Sequence, residues 1–189
     1  MSARSPADVW AVGRGSLGTR TLVEHWNGTS WSHVLAPIPG QLSFLNGVTA
    51  ISASDAWAVG GFNGNVVGNR VLTLHWDGTA WHQVYAPTPG PNTNGDSLEA
   101  VSAASATDVW AVGGFKTSNG LRRTVSVHWD GTSWRHVFTP NPGGGSILSG
   151  VSAVSATDAW AVGHTNPFGG RQVPLILRWN GTAWVIVQP

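Results

Sequence analysis

The sequence contains no cysteine, and only 10% of its residues are charged, against roughly 25% in a typical soluble domain. Without cysteine the chain forms neither disulfide bonds nor thiolate metal sites. The formal net charge is +1 and no basic cluster is present, so we expect no nucleic-acid partner. No apolar run approaches the ~18 residues of a membrane-spanning helix, so we expect no membrane partner. A hydrophobic share of 41% excludes a disordered chain.

Tryptophan and glycine are abundant instead, with 12 Trp and 25 Gly in 189 residues. The motif Asp-x-Trp-Ala-Val-Gly occurs four times, at residues 8–13, 55–60, 108–113 and 158–163. A second block with Trp, Asn or Asp, Gly, Thr and a closing Trp follows each one, at residues 25–31, 75–81, 128–134 and 178–184. Every tryptophan falls in these blocks. The sequence therefore predicts four repeats, over residues 1–47, 48–100, 101–150 and 151–189.

The sequence of each repeat predicts short β-strands. Residues 70–76 alternate between apolar and polar side chains, which is the period of a strand. Asp77-Gly78 and its three equivalents are hairpin signals, because Asn, Asp and Gly accept positive φ. Four strands in a repeat of about 50 residues match the size of a propeller blade. The sequence thus predicts an all-β protein, a single β-propeller unit of four four-stranded blades.

Two repeats carry Ala-Val-Gly-Gly-Phe, at residues 58–62 and 111–115, followed by Trp-Asp-Gly-Thr-x-Trp and a Pro-x-Pro segment. With these motifs the repeats resemble bacterial kelch-like β-propellers, whose blades carry a double glycine, a later acidic turn residue, a tryptophan and a proline-bearing link. The first and fourth repeats depart from this pattern at Gly13-Arg14 and Gly163-His164. The resemblance implies a fold that serves enzymes, lectins and protein-binding platforms, so it does not decide the function.

Two ring closures are compatible with four repeats. Residues 1–8 align with residues 151–158, which places Met1 inside a first strand. We therefore expect a fragment, or an excised or designed half, of a larger propeller. Either a monomer closes a four-bladed ring, or a homodimer closes an eight-bladed ring. The composition suits a secreted or cell-surface bacterial protein, although no signal peptide precedes the first repeat.

The acidic residues make a poor catalytic site. The aspartates that open the first block are expected to accept backbone N–H bonds in turns; they are Asp8, Asp55, Asp108 and Asp158. Asp77 and Asp130 sit in hairpins where other repeats have Asn, so they serve geometry rather than proton transfer. Glycoside hydrolysis needs two facing carboxyls, and no pair stands out. We expect no enzyme, no catalytic residue and no cofactor, with a glycoside-active enzyme only as a third hypothesis.

The repeated histidines and tryptophans are predicted to be structural. His25, His75 and His128 share one position, but Arg178 replaces the fourth, and a cation is a poor neighbour for a metal. We therefore expect no metal site and a packing role between blades for these side chains. The tryptophans of the first block are predicted to lie in the core, although exposed tryptophan would also suit a sugar-binding surface; they are Trp10, Trp57, Trp110 and Trp160.

A ligand site is expected in the variable loops, because binding residues concentrate on loops carried by a rigid scaffold. The loop residues with aromatic, amide or cationic groups are Phe62, Asn63, Asn65, Phe115, Lys116, Asn119 and Phe168. The leading hypothesis is a non-catalytic binding or scaffold module that self-associates to close a ring. The alternative is a multivalent, lectin-like propeller that binds glycans through these loops.

Overall fold

The structure is a computed structural model that describes residues 1–15, 19–64, 68–89, 95–167 and 170–187, with the side chains of residues 68 and 69 excepted. Over these ranges the chain forms strands and no helix, and no helix there is long and apolar enough to cross a membrane. The strands form four antiparallel sheets of four strands each, in chain order within every sheet. Each sheet corresponds to one sequence repeat, which confirms the predicted all-β, four-bladed architecture.

The four sheets have the same plan. The first contains β1 (Ser2–Ser5), β2 (Asp8–Arg14), β3 (Thr21–Trp26) and β4 (Trp31–His33). The second contains β5 (Leu42–Ser52), β6 (Asp55–Gly64), β7 (Gly68–Trp76) and β8 (Trp81–Gln83). The third contains β9 (Ser97–Ser105), β10 (Asp108–Lys116), β11 (Arg122–Trp129) and β12 (Trp134–His136). The fourth contains β13 (Gly145–Ser155), β14 (Asp158–Asn166), β15 (Val173–Trp179) and β16 (Trp184–Ile186).

The sheets pack face to face in chain order. The first strands β1, β5, β9 and β13 contact one another in succession, so they form the inner side of the array. Extensive contacts join the first sheet to the second, the second to the third and the third to the fourth. Within the described residues no contact of that extent joins the fourth sheet to the first. The described blades therefore form an open arc. Of the two alternatives, this arrangement differs from a four-bladed ring closed within one chain.

The predicted repeat boundaries at residues 47, 100 and 150 fall inside β5, β9 and β13. Each of these innermost strands begins before the predicted boundary, because the strand continues on the amino-terminal side of a β-bulge. A structural repeat thus begins near residues 42, 97 and 145. The bulge lies opposite the end of the Trp-Ala-Val-Gly block in each case.

Close backbone approach explains the glycine that ends this block. A Cβ atom on Gly60, Gly113 or Gly163 would lie 2.0–2.1 Å from a backbone oxygen of the innermost strand. No side chain fits at that distance. The equivalent Gly13 in the first sheet has open space around it, because β1 is shorter there.

The hairpin between the third and fourth strands of each sheet follows the prediction from Asn-Gly and Asp-Gly. Gly28, Gly78, Gly131 and Gly181 all have positive φ, between 91° and 96°. In each hairpin the Oδ1 of the preceding Asn or Asp accepts three hydrogen bonds. The donors are the backbone N–H and the hydroxyl of the Thr two residues later, and the backbone N–H of the residue after that Thr. Because amide and carboxylate make the same three bonds, the expectation that these acids serve turn geometry is confirmed.

The hydrophobic core lies between sheets rather than inside one sheet. One cluster surrounds Trp10 at the interface of the first and second sheets. A second surrounds Trp57 at the next interface, and a third surrounds Trp110 between the third and fourth sheets. These three tryptophans are buried, whereas Trp160, on the uncovered face of the fourth sheet at the end of the arc, is only partly buried. Packing of successive sheets therefore decides which copy of a repeated residue enters the core.

Candidate functional site

One tryptophan arrangement recurs at every interface between sheets. The strand tryptophan of one sheet contacts two tryptophans of the next, one before and one after the hairpin. Ring centroids lie 5.1 and 5.2 Å apart at the first interface, 4.8 and 5.0 Å at the second, and 4.9 and 5.0 Å at the third. The contact to the post-hairpin ring is edge to face in each case, a favoured geometry for aromatic pairs.

The two ends of the arc present the two halves of this same arrangement. At the first sheet, no sheet of the described residues packs over Trp26 and Trp31, and Trp31 is 46% exposed. Its equivalents Trp81, Trp134 and Trp184 are 3–4% exposed. At the fourth sheet, Trp160 is partly covered by the guanidinium of Arg178, 5.4 Å from its ring centroid. We call these the first-sheet face (Trp26 and Trp31) and the fourth-sheet face (Trp160, Val162 and Ile176).

The aspartate that opens each first block binds the side chain at the repeated histidine position. His Nε2 lies 2.9 Å from the Oδ1 of Asp8, 2.9 Å from that of Asp55 and 2.7 Å from that of Asp108. In the fourth sheet Arg178 Nε donates to Asp158 Oδ1 at 2.9 Å. These aspartates were expected to accept hydrogen bonds from backbone N–H groups. The observed donor is instead a side chain about 20 residues later in the sequence, which lies on the neighbouring strand of the same sheet.

The histidines pack within their own sheets. Each ring lies over the strand tryptophan of the same sheet, with centroid separations of 4.3–4.5 Å. The expected packing between sheets therefore differs from the observed contact, because neighbouring strands place the histidine directly beside the tryptophan. No group of three or more metal-ligating side chains is found in the described part of the chain.

Asp8 has a second partner. Arg4 donates its Nε to Asp8 Oδ2 at 2.8 Å, and its Nη2 lies 2.7 Å from the same oxygen. Burial raises the pKa of Asp8, but the hydrogen bonds from His25 and Arg4 outweigh burial and hold that pKa below its usual value. The carboxylate of the first sheet is therefore bonded at both oxygens.

The predicted loop residues do not converge on one site. Four of them are strand rather than loop residues, since Phe62 and Asn63 lie in β6 and Phe115 and Lys116 in β10. Phe62 and Phe115 occupy equivalent positions and pack against different core clusters. Asn63 pairs within the second sheet, and Asn119 bonds to its own turn through the Thr117 hydroxyl. The backbone N–H of Lys116 donates to Asp96 Oδ1 at 3.0 Å. Asn65 and Phe168 lie outside the described residues. The proposed ligand role of these residues stays a prediction.

Sequence reasoning missed a repeated, exposed apolar position two residues after the outermost strand. Tyr85 is 74% exposed and Phe138 is 86% exposed, and Leu35 occupies the same place in the first sheet. Phe138 borders a cavity of about 250 Å³, together with Phe115 and His136. Burial lowers the pKa of His136, which favours its neutral form. Alignment of the residues after the closing Trp would have revealed the position, but not its exposure.

Three acids remain, and the first of them, Glu99, accepts a hydrogen bond from the Ser97 hydroxyl at 2.6 Å. Asp96 is fully buried at the start of β9. Burial raises its pKa, against the lowering effect of the Lys116 N–H and the charge of Arg122. Glu24 lies 3.3 Å from His33 in the first sheet. Asp108 and Asp130 line one cavity, but each carboxylate is already bonded to a basic side chain, His128 and Arg135 respectively.

No protein-family model matches the sequence, and no curated protein matches it. Similar solved structures include YCF48 bound to D1 peptide, at 14% identity and a TM-score of 0.47, covering 100% of this chain and 67% of that one. They also include a fucose lectin from Kordia zhangzhouensis in complex with methyl-fucoside, at 13% identity and a TM-score of 0.41, covering 70% of this chain and 92% of that one. Both are similar in fold alone.

Proposed function

We propose that this chain is a non-catalytic binding and scaffold module that self-associates through its two end faces to complete a β-propeller ring. The observation that carries the proposal is the tryptophan interface, which is formed three times inside the chain and left half-formed at each end. A second copy supplies the missing half, because its first-sheet face carries the same two tryptophans that cover Trp10, Trp57 and Trp110.

The fourth-sheet face has the composition of a buried surface. Val162 is 49% exposed, whereas its equivalents Val59 and Val112 are fully buried under the next sheet. At the third interface Trp184 donates its indole N–H to Ser126, and Ile176 holds the place of Ser126 in the fourth sheet. An exposed apolar face of this kind is a liability for a protein that stays alone in water.

Such a contact joins different faces of the two copies, so it is head-to-tail. Head-to-tail contacts produce a ring when the rotation closes and a filament when it does not. Two copies of four blades give the eight-bladed ring, within the usual four to eight blades of propellers.

Sedimentation velocity over a range of concentrations tests the proposal. We expect a species of twice the 19.8 kDa of one chain. Trp160→Ala should shift it to the single chain, whereas Phe138→Ala, which removes an aromatic ring outside both faces, should leave it unchanged. A 19.8 kDa species at all concentrations, or a dimer that survives Trp160→Ala unaltered, would contradict the proposal.

Glycan binding is the second candidate, and the exposed position of Tyr85 and Phe138 favours it. Aromatic faces stack on sugar rings, and one such residue on successive sheets would give a multivalent surface. A glycan array on the wild-type chain and on the double variant Tyr85→Ala, Phe138→Ala tests this function. Hits lost in the variant support it, while an empty array argues against it.

We also propose a kelch-like bacterial origin and a secreted or cell-surface location. The Gly-Gly-Phe motifs and the low charge support these two points. Fractionation of the source cells, with detection of the chain in the extracellular or surface fraction, tests the location; recovery from the cytoplasm alone would contradict it.

A further inference from the structure

The first sheet shows how a blade aspartate is fully bonded. Asp8 receives His25 at Oδ1 and the guanidinium of Arg4 at Oδ2. Arg4 stands four residues before Asp8, at the end of the innermost strand. The two donors lie on opposite oxygens, so the carboxylate retains neither an unpaired oxygen nor an uncompensated charge.

The third sheet has the same aspartate and histidine without the arginine. Asp108 Oδ1 lies 2.7 Å from His128 Nε2, and the His128 ring stacks on Trp110 at 4.3 Å. The position four residues before Asp108 is Ala104. Asp108 Oδ2 is buried and has no hydrogen-bond partner, and the side chain as a whole is 9% exposed. An unpaired buried carboxylate oxygen is costly, so it points to a missing donor.

A cavity of about 410 Å³ adjoins this carboxylate, between the third and fourth sheets. Its lining includes Ala104, Asp108, His128 and Asp130, with serine and threonine hydroxyls around them. A guanidinium has four heavy atoms and needs roughly the space of four waters, ~120 Å³, so the cavity admits one. Oδ2 is itself buried, so the carboxylate must turn about its broad terminal torsion to bring this oxygen to the cavity.

The charges around the cavity favour a cation. Asp130 already has a partner, since Arg135 Nε lies 2.7 Å from its Oδ2. Asp108 is bonded by His128, whereas Asp8 is bonded by both His25 and the guanidinium of Arg4. In the first sheet Asn27 replaces Asp130, and Arg4 neutralises Asp8. Asp130 and Arg135 replace Asn27 and Ser32, and Ala104 replaces Arg4. The third-sheet groups therefore carry one net negative charge more than their first-sheet counterparts.

We propose that this cavity binds the guanidinium of an arginine side chain from a peptide or protein partner, which donates to Asp108 Oδ2 as Arg4 donates to Asp8. Arginine fits better than lysine because its planar fork delivers two N–H groups to a carboxylate. The site does not depend on self-association, since both sheets that form it belong to one chain.

The test is a titration with N-acetyl-L-arginine amide, followed by amide chemical shifts in two-dimensional NMR at low ionic strength. The neutral isostere N-acetyl-L-citrulline amide and the lysine equivalent serve as matched probes. We expect shifts confined to the backbone around Ala104, Asp108 and Ser155, with millimolar affinity for arginine and at least tenfold weaker binding of both other probes. Equal binding of citrulline would overturn the ionic contact, and equal binding of lysine would overturn the guanidinium assignment.

Two variants separate the site from a general effect on folding. Ala104→Arg places the first-sheet arginine in the third sheet, so it should fill the cavity and weaken arginine binding at least tenfold while the chain stays folded. Ala104 is exposed, so the fold tolerates this change. Conversely, Arg4→Ala should open a second site beside Asp8, with shifts at Ala7 and His25. Undiminished binding to Ala104→Arg would refute the proposal.

Discussion

Replacing Trp31 with alanine tests the end-face proposal quantitatively. Trp31 is 46% exposed in the single chain, while its three equivalents under a neighbouring sheet are 3–4% exposed. A whole indole side chain offers up to ~250 Å², so covering Trp31 to the same extent removes about 100 Å² from water. At ~25 cal/mol per Å² this contributes about 2.5 kcal/mol to each contact. A ring of two copies contains this contact twice. Trp31→Ala should therefore raise the dissociation constant of the dimer about 60-fold for each contact, on the order of 3,600-fold in all.

Sedimentation velocity or light scattering over a dilution series measures that constant. Leu35→Ala is the matched control, because Leu35 is 83% exposed. Its equivalents Tyr85 and Phe138 remain exposed although another sheet packs against the sheet that each belongs to. That position is thus outside the interface, and the control should associate like the wild type. Trp134→Ala, at a buried equivalent of Trp31, should instead lower the stability of the chain itself by about 3–5 kcal/mol.

Two results would refute the reasoning. If Trp31→Ala and the wild type dissociate at the same concentration, the copies meet through another surface. If Leu35→Ala weakens association as much as Trp31→Ala, then general surface hydrophobicity drives it rather than the repeated tryptophan contact.

Three further predictions concern stability. Asp77→Asn should leave the stability at neutral pH unchanged, because an amide makes the same turn bonds in other sheets. The hydrogen bonds from Thr79 hold the pKa of Asp77 below its ordinary 3.8. Wild-type stability should therefore fall as pH drops below 3.8, and the variant should lose less, as urea unfolding at several pH values will show. Asp96→Asn should stabilise the chain at neutral pH, because burial raises the pKa of Asp96 above its ordinary 3.8. The unfolded chain releases this proton first, so wild-type stability falls as pH rises above 3.8 and the full penalty is reached above the raised pKa. The advantage of the variant should vanish below pH 3.8 in urea unfolding, and an advantage that instead grows there would contradict the burial argument. Gly78→Ala should lower the free energy of unfolding by about 1–3 kcal/mol, since φ is +95° and the new Cβ would lie 2.7 Å from a side-chain carbon of the adjacent turn. Gly120→Ala, at φ +80° with nothing within 4 Å, should lower it less in thermal or chemical unfolding. Equal losses in the two variants would count against the steric account.

The sequence predicted the local structure well because strands and hairpins depend on neighbouring residues. Alternation in β7 and the Asp77-Gly78 turn are both visible within ten residues of chain. The fold class followed from repetition alone, since four copies of one supersecondary unit must bury their faces against one another. The start of β5 was missed, because its extension beyond the bulge depends on pairing with β6 rather than on its own composition.

The candidate sites were harder to predict because they depend on contacts between distant residues. The pairing of Asp108 with His128 joins residues 20 positions apart, and the bulge and hairpin geometry decides it. Phe62 and Phe115 share a motif and were expected in loops, yet they lie in β6 and β10. Each packs against a different core cluster between sheets rather than lining a common pocket. The surroundings of Asp108 and Asp8 differ through Arg4, which stands in β1 where β9 has Ala104.

The sequence by itself thus determined the number of blades, their strands and turns, and the presence of three tryptophans in each. The tertiary structure decided which of those tryptophans are buried. Trp110 and Trp160 occur in the same motif, but only Trp110 has a sheet packed over it. Burial of a repeated residue is a property of the neighbouring repeat, so the chain's two unpartnered faces could be identified only from the packed sheets.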